Sequence, residues 1–188
     1  MVGVLALQGD FAEHLEILKT CGYPALVVRS NEDLEAVDSL IIPGGESTTI
    51  LKLIDRYEMR DPLIKRIADG MGVFGTCAGA IVLADRVSDG ERTLGAVPIE
   101  LERNAYGRQR ESFEADLDVP ELGGQVRGVF IRAPVITDAG PATVMAEWAA
   151  RPVLVRWGKV LLSTFHPELA GELRVHKYFV EKICEVHA

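Results

Sequence analysis

Short, uninterrupted apolar segments alternate with amphipathic segments along the first half of the chain, and this alternation restricts the possible folds more than any other feature. The apolar segments are Val2–Leu7, Ala25–Val28, Leu40–Ile42 and Val73-Phe74. Such short, continuous runs are typical of parallel strands covered on both faces. Between them, apolar residues recur at helical spacing. We predict helices from Phe11 to Cys21-Gly22 and over Ser47–Tyr57, Pro62–Ala68 and Ala78–Ala84.

Beyond about residue 95, the pattern changes to strands that are joined by turns. Arg151–Trp157 and Val160–Thr164 flank Gly158-Lys159, which predicts a hairpin. The last segment predicts an amphipathic helix with four apolar residues on one face, namely Val175, Phe179, Ile183 and Val186. The 188 residues contain no repeat or linker. We therefore predict a single α/β domain over residues 1–188, with a mostly parallel central sheet, helices on both faces and an antiparallel strand region in the second half.

Charge, cysteine content and the first residues narrow the functional class. The net charge is −8 and no Lys/Arg cluster is dense, so we expect no nucleic-acid partner. The opening MVGVLALQGD has no basic leader, and its apolar run is too short to cross a membrane, so we expect no membrane association. Three cysteines without a C-x-x-C pair suggest neither a disulfide framework nor a zinc site. This use of cysteine fits a location in the reducing cytoplasm best.

The stretch Gly75-Thr76-Cys77-Ala78-Gly79 has the form G-x-C-x-G between a predicted strand and a predicted helix. A tight strand-to-helix turn needs small residues around the central one, as in a nucleophile elbow with cysteine in place of serine. The turn places the sulfur at a helix N-terminus, where the helix dipole favours a thiolate. The alternative is a glycine-lined packing turn with an inert, buried cysteine.

A thiolate mechanism also needs a base, and His166 is the best candidate among four histidines. His166 ends an apolar run and precedes Pro167-Glu168, so the local chain is extended and the side chains of His166 and Glu168 point the same way. The carboxylate can then orient the imidazole. The alternative is a capping turn before the last helix. The other three histidines are expected at the surface: His14, His176 and His187.

Pro43-Gly44-Gly45-Glu46-Ser47 also lies between a predicted strand and a predicted helix. Backbone N–H groups freed in such a turn can stabilise a developing oxyanion, although an ordinary Gly-Gly turn has the same sequence. The segment lacks the spacing of a phosphate-binding loop. The G-x-G-x-x-G at residues 70–75 precedes its strand, whereas a dinucleotide-binding fingerprint follows one.

Five stretches, read in order, resemble one family: IIPGGESTT, FGTCAGAIVLA, ERNAYGRQRESFEADL, GVFIRAP and STFHPEL. They are similar to the class I, triad-type glutamine amidotransferases, and in particular to the branch that forms the glutaminase subunit of pyridoxal 5'-phosphate synthase. G-x-C-x-G with H-P-E is shared by many class I glutaminases, whereas the ERN-x-(F/Y)-GRQ stretch and FIRAP are more specific to this branch. The resemblance covers essentially the whole chain.

The resemblance implies that Cys77 is the nucleophile, His166 the general base and acid, and Glu168 the residue that orients His166. It also implies that the amides of Gly45 and Ala78 form the oxyanion hole. The residues that it implies for binding of the substrate L-glutamine are Gly45, Glu46, Ser47, Arg103, Ile131 and Arg132. An α-carboxylate calls for an arginine, and Arg103 and Arg132 stand singly beside apolar strands.

The resemblance further implies hydrolysis of glutamine to glutamate and ammonia without a metal or organic cofactor. The ammonia passes to a (βα)₈-barrel synthase subunit in a large hetero-oligomer, and the glutaminase is silent until that subunit docks. We expect the strand end at Gln8 and the Gly44–Ser47 loop to form part of the docking face. The alternatives are an autonomous γ-glutamyl cysteine hydrolase, which needs no partner, and a non-catalytic regulatory subunit, which does not need Cys77.

Overall fold

The fold is taken from a computed structural model that describes residues 1–103 and 112–185. The strands in these ranges are β1 (Val2–Leu5), β2 (Ala25–Val28), β3 (Ser39–Ile42), β4 (Gly72–Thr76), β5 (Ala84–Val87), β6 (Val97–Glu102), β7 (Ser112–Val119), β8 (Gly124–Ile131), β9 (Val135–Asp138), β10 (Thr143–Trp148), β11 (Arg151–Trp157) and β12 (Val160–Ser163). The helices are α1 (Phe11–Thr20), α2 (Asn31–Glu35), α3 (Ser47–Arg56), α4 (Arg60–Ala68), α5 (Ala78–Leu83) and α6 (Leu173–Tyr178). In this part of the chain, no helix is long and apolar enough to span a membrane.

The central sheet has seven strands in the order β10-β11-β12-β4-β3-β1-β2. The five strands from β12 to β2 are parallel, and β11 and β10 extend the sheet antiparallel at one edge. Two smaller sheets contain β5-β6-β9 and the β7-β8 hairpin. Because the central strands are parallel, β1, β3, β4 and β12 all end at the same edge, where such folds place their ligands.

Both faces of the central sheet are buried, which explains why its strands have continuous apolar sequences. Leu40 and Ile42 of β3 pack with α3 and α5 on one face, whereas Ile41 packs with α1 and α6 on the other. Successive side chains of a strand point to opposite faces, so each strand supplies both cores. The predicted architecture, a mostly parallel sheet between helices with antiparallel strands in the second half, is confirmed.

The ends of some helices and strands differ from the predicted ends. β1 ends at Leu5 instead of Leu7, and α4 begins two residues before Pro62. The hairpin at Gly158-Lys159 is present. The last helix changes to a π-helical turn over Phe179–Ile183, and the predicted face residue Val186 lies outside the described residues.

Two elements were not predicted, namely α2 and β5. A capping box begins α2: the Ser30 hydroxyl accepts from the Asp33 amide, and the Asp33 carboxylate accepts from the Ser30 amide. A serine followed three residues later by an acidic residue is the sequence signal for such a start. The short strand β5 pairs with β6.

The backbone of α5 packs directly against β3, at the edge of the sheet where the parallel strands end. A Cβ on Gly79 would lie only 2.0 Å from the carbonyl oxygen of Ile42, and a Cβ on Gly75 would lie 2.7 Å from the carbonyl carbon of Gly79. Atoms this close cannot coexist, so both positions need glycine. The small residues of G-x-C-x-G therefore permit the close packing of α5 on the sheet.

The substitution Gly79→Ala tests this approach. Helix propensity alone favours alanine by about 1 kcal/mol. The collision with Ile42 is expected to reverse the sign and to lower the free energy of unfolding by about 2 kcal/mol, as overpacking does. Urea denaturation measures the change. Gly123→Ala, which has a positive φ of 82° but no atom within 4 Å, is the control and should lose about 1 kcal/mol at most. A Gly79→Ala protein as stable as the wild type would contradict the steric argument.

Candidate active site

Cys77 occupies the sharp turn between β4 and α5. Its φ is +48°, a backbone conformation that residues other than glycine rarely adopt. Its amide donates to the carbonyl of Ser163 at 2.8 Å, which ties the turn to the end of β12. The side chain is only 7% exposed, and its Sγ lies 3.9 Å from the carbonyl oxygen of Ile131. The strained turn holds the sulfur at the edge where the parallel strands end.

His166 and Glu168 meet as the sequence predicted. The Nδ1 atom of His166 and the Oε1 atom of Glu168 are 2.7 Å apart, and both side chains are buried. The His166 side chain also interacts with Cys77, and this interaction raises the pKa of the imidazole. Since Nδ1 is engaged by Glu168, Nε2 is the nitrogen left for the sulfur. The structure thus brings Cys77, His166 and Glu168 into one continuous chain of contacts.

The electrostatics of this chain favour an imidazolium. Burial alone lowers the pKa of His166, but hydrogen bonds to Cys77 and Glu168, together with their negative charges, outweigh it and raise the pKa to about 10. Burial raises the pKa of the Glu168 carboxyl, and the hydrogen bond and charge of His166 oppose that rise. A thiolate paired with an imidazolium, supported by a carboxylate, is the charge arrangement of an activated cysteine nucleophile.

Strand β8 contacts both reacting groups through its backbone. The carbonyl of Val129 accepts from the His166 amide at 2.7 Å, and the carbonyl of Ile131 faces the Cys77 sulfur. Carbonyls two residues apart on a strand point to the same side. One edge of β8 therefore locates both Cys77 and His166.

The loop after β1 contacts the glycine loop after β3. The Gln8 Oε1 atom accepts from the Glu46 amide at 2.8 Å, and the Asp10 amide donates to the Gly44 carbonyl at 3.1 Å. A Cβ on Gly9 would lie 1.8 Å from the Gly44 oxygen, so the two backbones are in direct contact. A movement of the first loop is therefore transmitted to the second.

The carboxylate of Glu46 forms hydrogen bonds with the first turn of α3. It accepts from the amides of Thr48 and Thr49 and so caps the start of α3. The carboxylate also accepts from the Thr49 hydroxyl. All these hydrogen bonds lower the pKa of the Glu46 carboxyl, and the bond from the Thr49 hydroxyl makes the largest contribution. The side chain therefore fixes the start of α3, and the residue lines the pocket that contains Cys77.

One pocket of about 130 Å³ collects the residues that the resemblance implied for the substrate and the oxyanion. Its lining consists of Gly45, Glu46, Ser47, Cys77, Ala78, Ile81, Arg103, Ile131 and Arg132. Ile81 was not predicted, although its position one helical turn after Cys77 on α5 was a usable signal. The structure thus places the predicted binding residues around the Cys77 sulfur.

Arg103 is not the isolated cation that the sequence suggested. Its guanidinium contacts the carboxylates of Glu91 and Asp89 and the hydroxyls of Ser47 and Thr48. The two acidic residues lie in the segment between β5 and β6. Arg132, at the end of β8, has a φ of +42°.

Two histidines that were expected at the surface are fully buried. His14 in α1 and His176 in α6 both have 0% exposure, so that expectation is wrong. The reason is their place on the apolar stripe of each helix: His14 lies three residues after Phe11 and four before Leu18. The third expected surface histidine, His187, lies outside the described residues, as does Tyr106 with most of the ERNAYGRQR stretch.

Within residues 1–103 and 112–185, the only grouping with metal-ligand types is Asp10, His166 and Glu168. The Nδ1 atom of His166 already bonds to Glu168, and Asp10 Oδ2 lies 3.7 Å from the same nitrogen. The ligand atoms thus face one another as an acid-base cluster. We assign them no metal.

The geometry and the fold define a class of protein: a parallel α/β sheet that carries a Cys-His-Glu group at the edge where its strands end. The sequence matches the SNO glutamine amidotransferase family over residues 4–185. The chain belongs to this family.

Known proteins match this chain over nearly their full length. A relative from Pelotomaculum thermopropionicum, named pyridoxal 5'-phosphate synthase subunit PdxT, is 52% identical over 96% of this chain and 94% of its own. A protein of the same name from Carboxydothermus hydrogenoformans is 46% identical over 98% of both chains. A crystal structure of a glutamine amidotransferase is 53% identical, with a TM-score of 0.94 over 98% of this chain and 99% of its own.

The substitution Glu168→Gln tests the electrostatic arrangement. It keeps the size of the side chain but removes the charge that helps to raise the pKa of His166 to about 10. The pKa of His166 is expected to fall by at least about one unit, so the imidazolium loses its proton at lower pH. An NMR titration of the His166 ring nitrogens measures the change. The control Glu16→Gln removes an exposed carboxylate of α1 and should leave the titration unchanged. A His166 titration unaffected by Glu168→Gln would contradict the assignment.

Proposed function

We propose that the protein hydrolyses L-glutamine to L-glutamate and ammonia through a cysteine thioester, and supplies the ammonia to a partner synthase subunit that makes pyridoxal 5'-phosphate. The observation that carries this proposal is the position of Cys77, which lines a pocket with Arg103 and Arg132 and interacts with a buried His166–Glu168 pair. Membership of a glutamine amidotransferase family supports the reaction class.

In the first step, the Cys77 thiolate attacks the carbon of the glutamine side-chain amide. The carbonyl oxygen becomes an oxyanion, for which the amides of Gly45 and Ala78 are the proposed donors, since both residues line the pocket. The His166 imidazolium gives its proton to the leaving nitrogen, the C–N bond breaks, and ammonia departs. A γ-glutamyl thioester remains on Cys77.

In the second step, neutral His166 takes a proton from water, and the resulting hydroxide attacks the thioester carbon. The C–S bond then breaks, which releases glutamate and restores the thiolate–imidazolium pair. Throughout, Glu168 holds the Nδ1 side of the ring, so that Nε2 stays directed at the reacting atoms. This mechanism uses no metal or organic cofactor.

Substrate recognition is assigned to the rim of the same pocket. Arg103 and Arg132 offer guanidinium groups to the α-carboxylate of glutamine, and the backbone of Ile131 offers a carbonyl to its α-ammonium group. In the structure, Arg103 is held by Glu91 and Asp89, so binding of the substrate carboxylate competes with these two acids.

The proposed partner is a synthase subunit, because the relatives reported above are named as subunits of pyridoxal 5'-phosphate synthase. The resemblance described in the sequence analysis implies that this partner is a (βα)₈ barrel. The three cysteines are free in the structure, which agrees with the expected reducing cytoplasm. A single domain over residues 1–188 accounts for this function.

Release of glutamate from glutamine tests the proposal. The wild-type chain mixed with the synthase subunit should release glutamate, and Cys77→Ala should lower the rate by at least about 10³-fold, because the nucleophile is lost. The chain alone should release much less. Equal release without the synthase would support the autonomous hydrolase. Normal glutamine-dependent synthesis by the Cys77→Ala complex would support the non-catalytic subunit.

Gln8→Ala tests the docking face. Loss of the hydrogen bond from the Glu46 amide to the Gln8 side chain should loosen the glycine loop and weaken synthase binding by about tenfold. Titration calorimetry measures the dissociation constant. Gln125→Ala, an exposed glutamine at the far end of β8, is the matched control. An unchanged affinity of Gln8→Ala would remove Gln8 from the interface.

A further inference from the structure

A buried polar chain lies next to Glu168, and its residues do not line the substrate pocket. His14, Thr76 and His176 all have 0% exposure. The Nδ1 atom of His14 is 2.8 Å from Nε2 of His176, and its Nε2 atom is 3.2 Å from the Thr76 hydroxyl and 3.5 Å from Oε1 of Glu168. The mechanism above uses none of these three residues.

Glu168 needs a further donor to stay ionised in this environment. Its Oε1 atom faces His166, and its Oε2 atom is buried without a hydrogen-bond partner among the described residues. An ionised carboxylate removed from water is costly unless donors surround it. The ring of His14 is a second neighbouring group that can provide one, since its Nε2 atom lies 3.5 Å from Oε1, the same oxygen that faces His166.

One pair of tautomers gives every ring N–H of His14 and His176 an acceptor. If Nε2 of His14 carries the proton that faces Glu168, then Nδ1 of His14 has a lone pair and accepts from Nε2–H of His176. Nδ1 of His176 is then unprotonated, and it is the ring nitrogen that has no partner in the described residues. This assignment leaves no ring N–H without an acceptor.

Both rings are neutral at pH 7. Burial is the main cause that lowers the pKa of His14 well below its usual value, with the nearby His176 and His166 adding to the effect. Burial likewise lowers the pKa of His176 to about 4. His14 therefore acts as a dipolar donor and adds no charge beside the imidazolium of His166.

We propose that His14 is a positioning residue for the triad: its Nε2–H, shared between Thr76 and Glu168, holds the Glu168 carboxylate ionised and directed at His166, and His176 fixes the required tautomer. This inference rests on the proposed function, since it extends the same site. A charged group that also faces His166 is Asp10, whose Oδ2 lies 3.7 Å from Nδ1 of His166, and Asp10 stays unchanged in every variant below.

Paired substitutions at His14 test the proposal. His14→Leu removes the donor, whereas His14→Gln keeps an amide N–H of similar reach. Leu18→Ala, a core residue of the same helix, is the control for lost packing. Two quantities are measured: kcat and KM for glutamine in the complex with the synthase subunit, and the pH dependence of Cys77 alkylation by iodoacetamide in the chain alone.

In His14→Leu, kcat is expected to fall by about tenfold with KM changed by less than about twofold, since His14 does not line the pocket. The acid limb of Cys77 alkylation should move up by about one pH unit, because a protonated Glu168 stabilises the imidazolium less. His14→Gln should restore most of both quantities. An equal shift in Leu18→Ala, or no shift in His14→Leu, would overturn the proposal.

Thr76→Val separates the two acceptors of His14. Removal of the competing hydroxyl should leave the alkylation limb at or below its wild-type position, because the His14 proton then faces Glu168 alone. A shift as large as that of His14→Leu would assign the effect to Thr76 and overturn the proposal. The alkylation assay does not depend on glutaminase activity, so failure of the proposed function is visible separately as missing glutamate release by the wild type.

Should His14→Leu fail to fold, the wild type still decides the question. Ring-nitrogen NMR shifts of His14 are expected to show a protonated Nε2 and an unprotonated Nδ1 at pH 7. The opposite tautomer would overturn the proposal, because its Nε2 has no proton to donate to Glu168.

Discussion

The close approach of Gly79 to the carbonyl oxygen of Ile42 holds α5 directly against the central sheet, and the geometry of the site depends on it. With α5 in this position, the chain must turn sharply at Cys77, in a conformation that costs about 1–3 kcal/mol for a residue other than glycine. The hydrogen bond from the Cys77 amide to Ser163 helps to maintain that turn. The close packing of the α5 and β3 backbones therefore fixes the direction of the Cys77 sulfur.

The close packing also buries the ionisable side chains of Glu168 and His166, whose opposite charges stabilise each other. Burial opposes ionisation of Glu168 and of the His166 ring, yet each stabilises the charge of the other. Next to Glu168 lies His14, whose neutral ring adds no further charge. This is consistent with the general cost of burying net charge in a protein interior.

The sequence was sufficient for the architecture because parallel strands covered on both faces leave a clear apolar pattern, and it was sufficient for the contact between His166 and Glu168 because only two residues separate their positions. It was insufficient where the partner comes from a distant segment. The pairing of Arg103 with Glu91 has no local pattern. The surface position predicted for His14 is wrong because its charged sequence neighbours indicate an exposed position, whereas its place on the apolar stripe of α1 buries it.

Strand β8 has a consequence for how related chains can differ in length. Its carbonyls at Val129 and Ile131 meet His166 and Cys77, and successive carbonyls of a strand face opposite ways. Loss or gain of a single residue within β8 would turn both carbonyls away together, whereas a change at the Pro120–Leu122 tip of the hairpin leaves them in place. Insertions and deletions should therefore be tolerated at that tip and excluded from the strand that follows it.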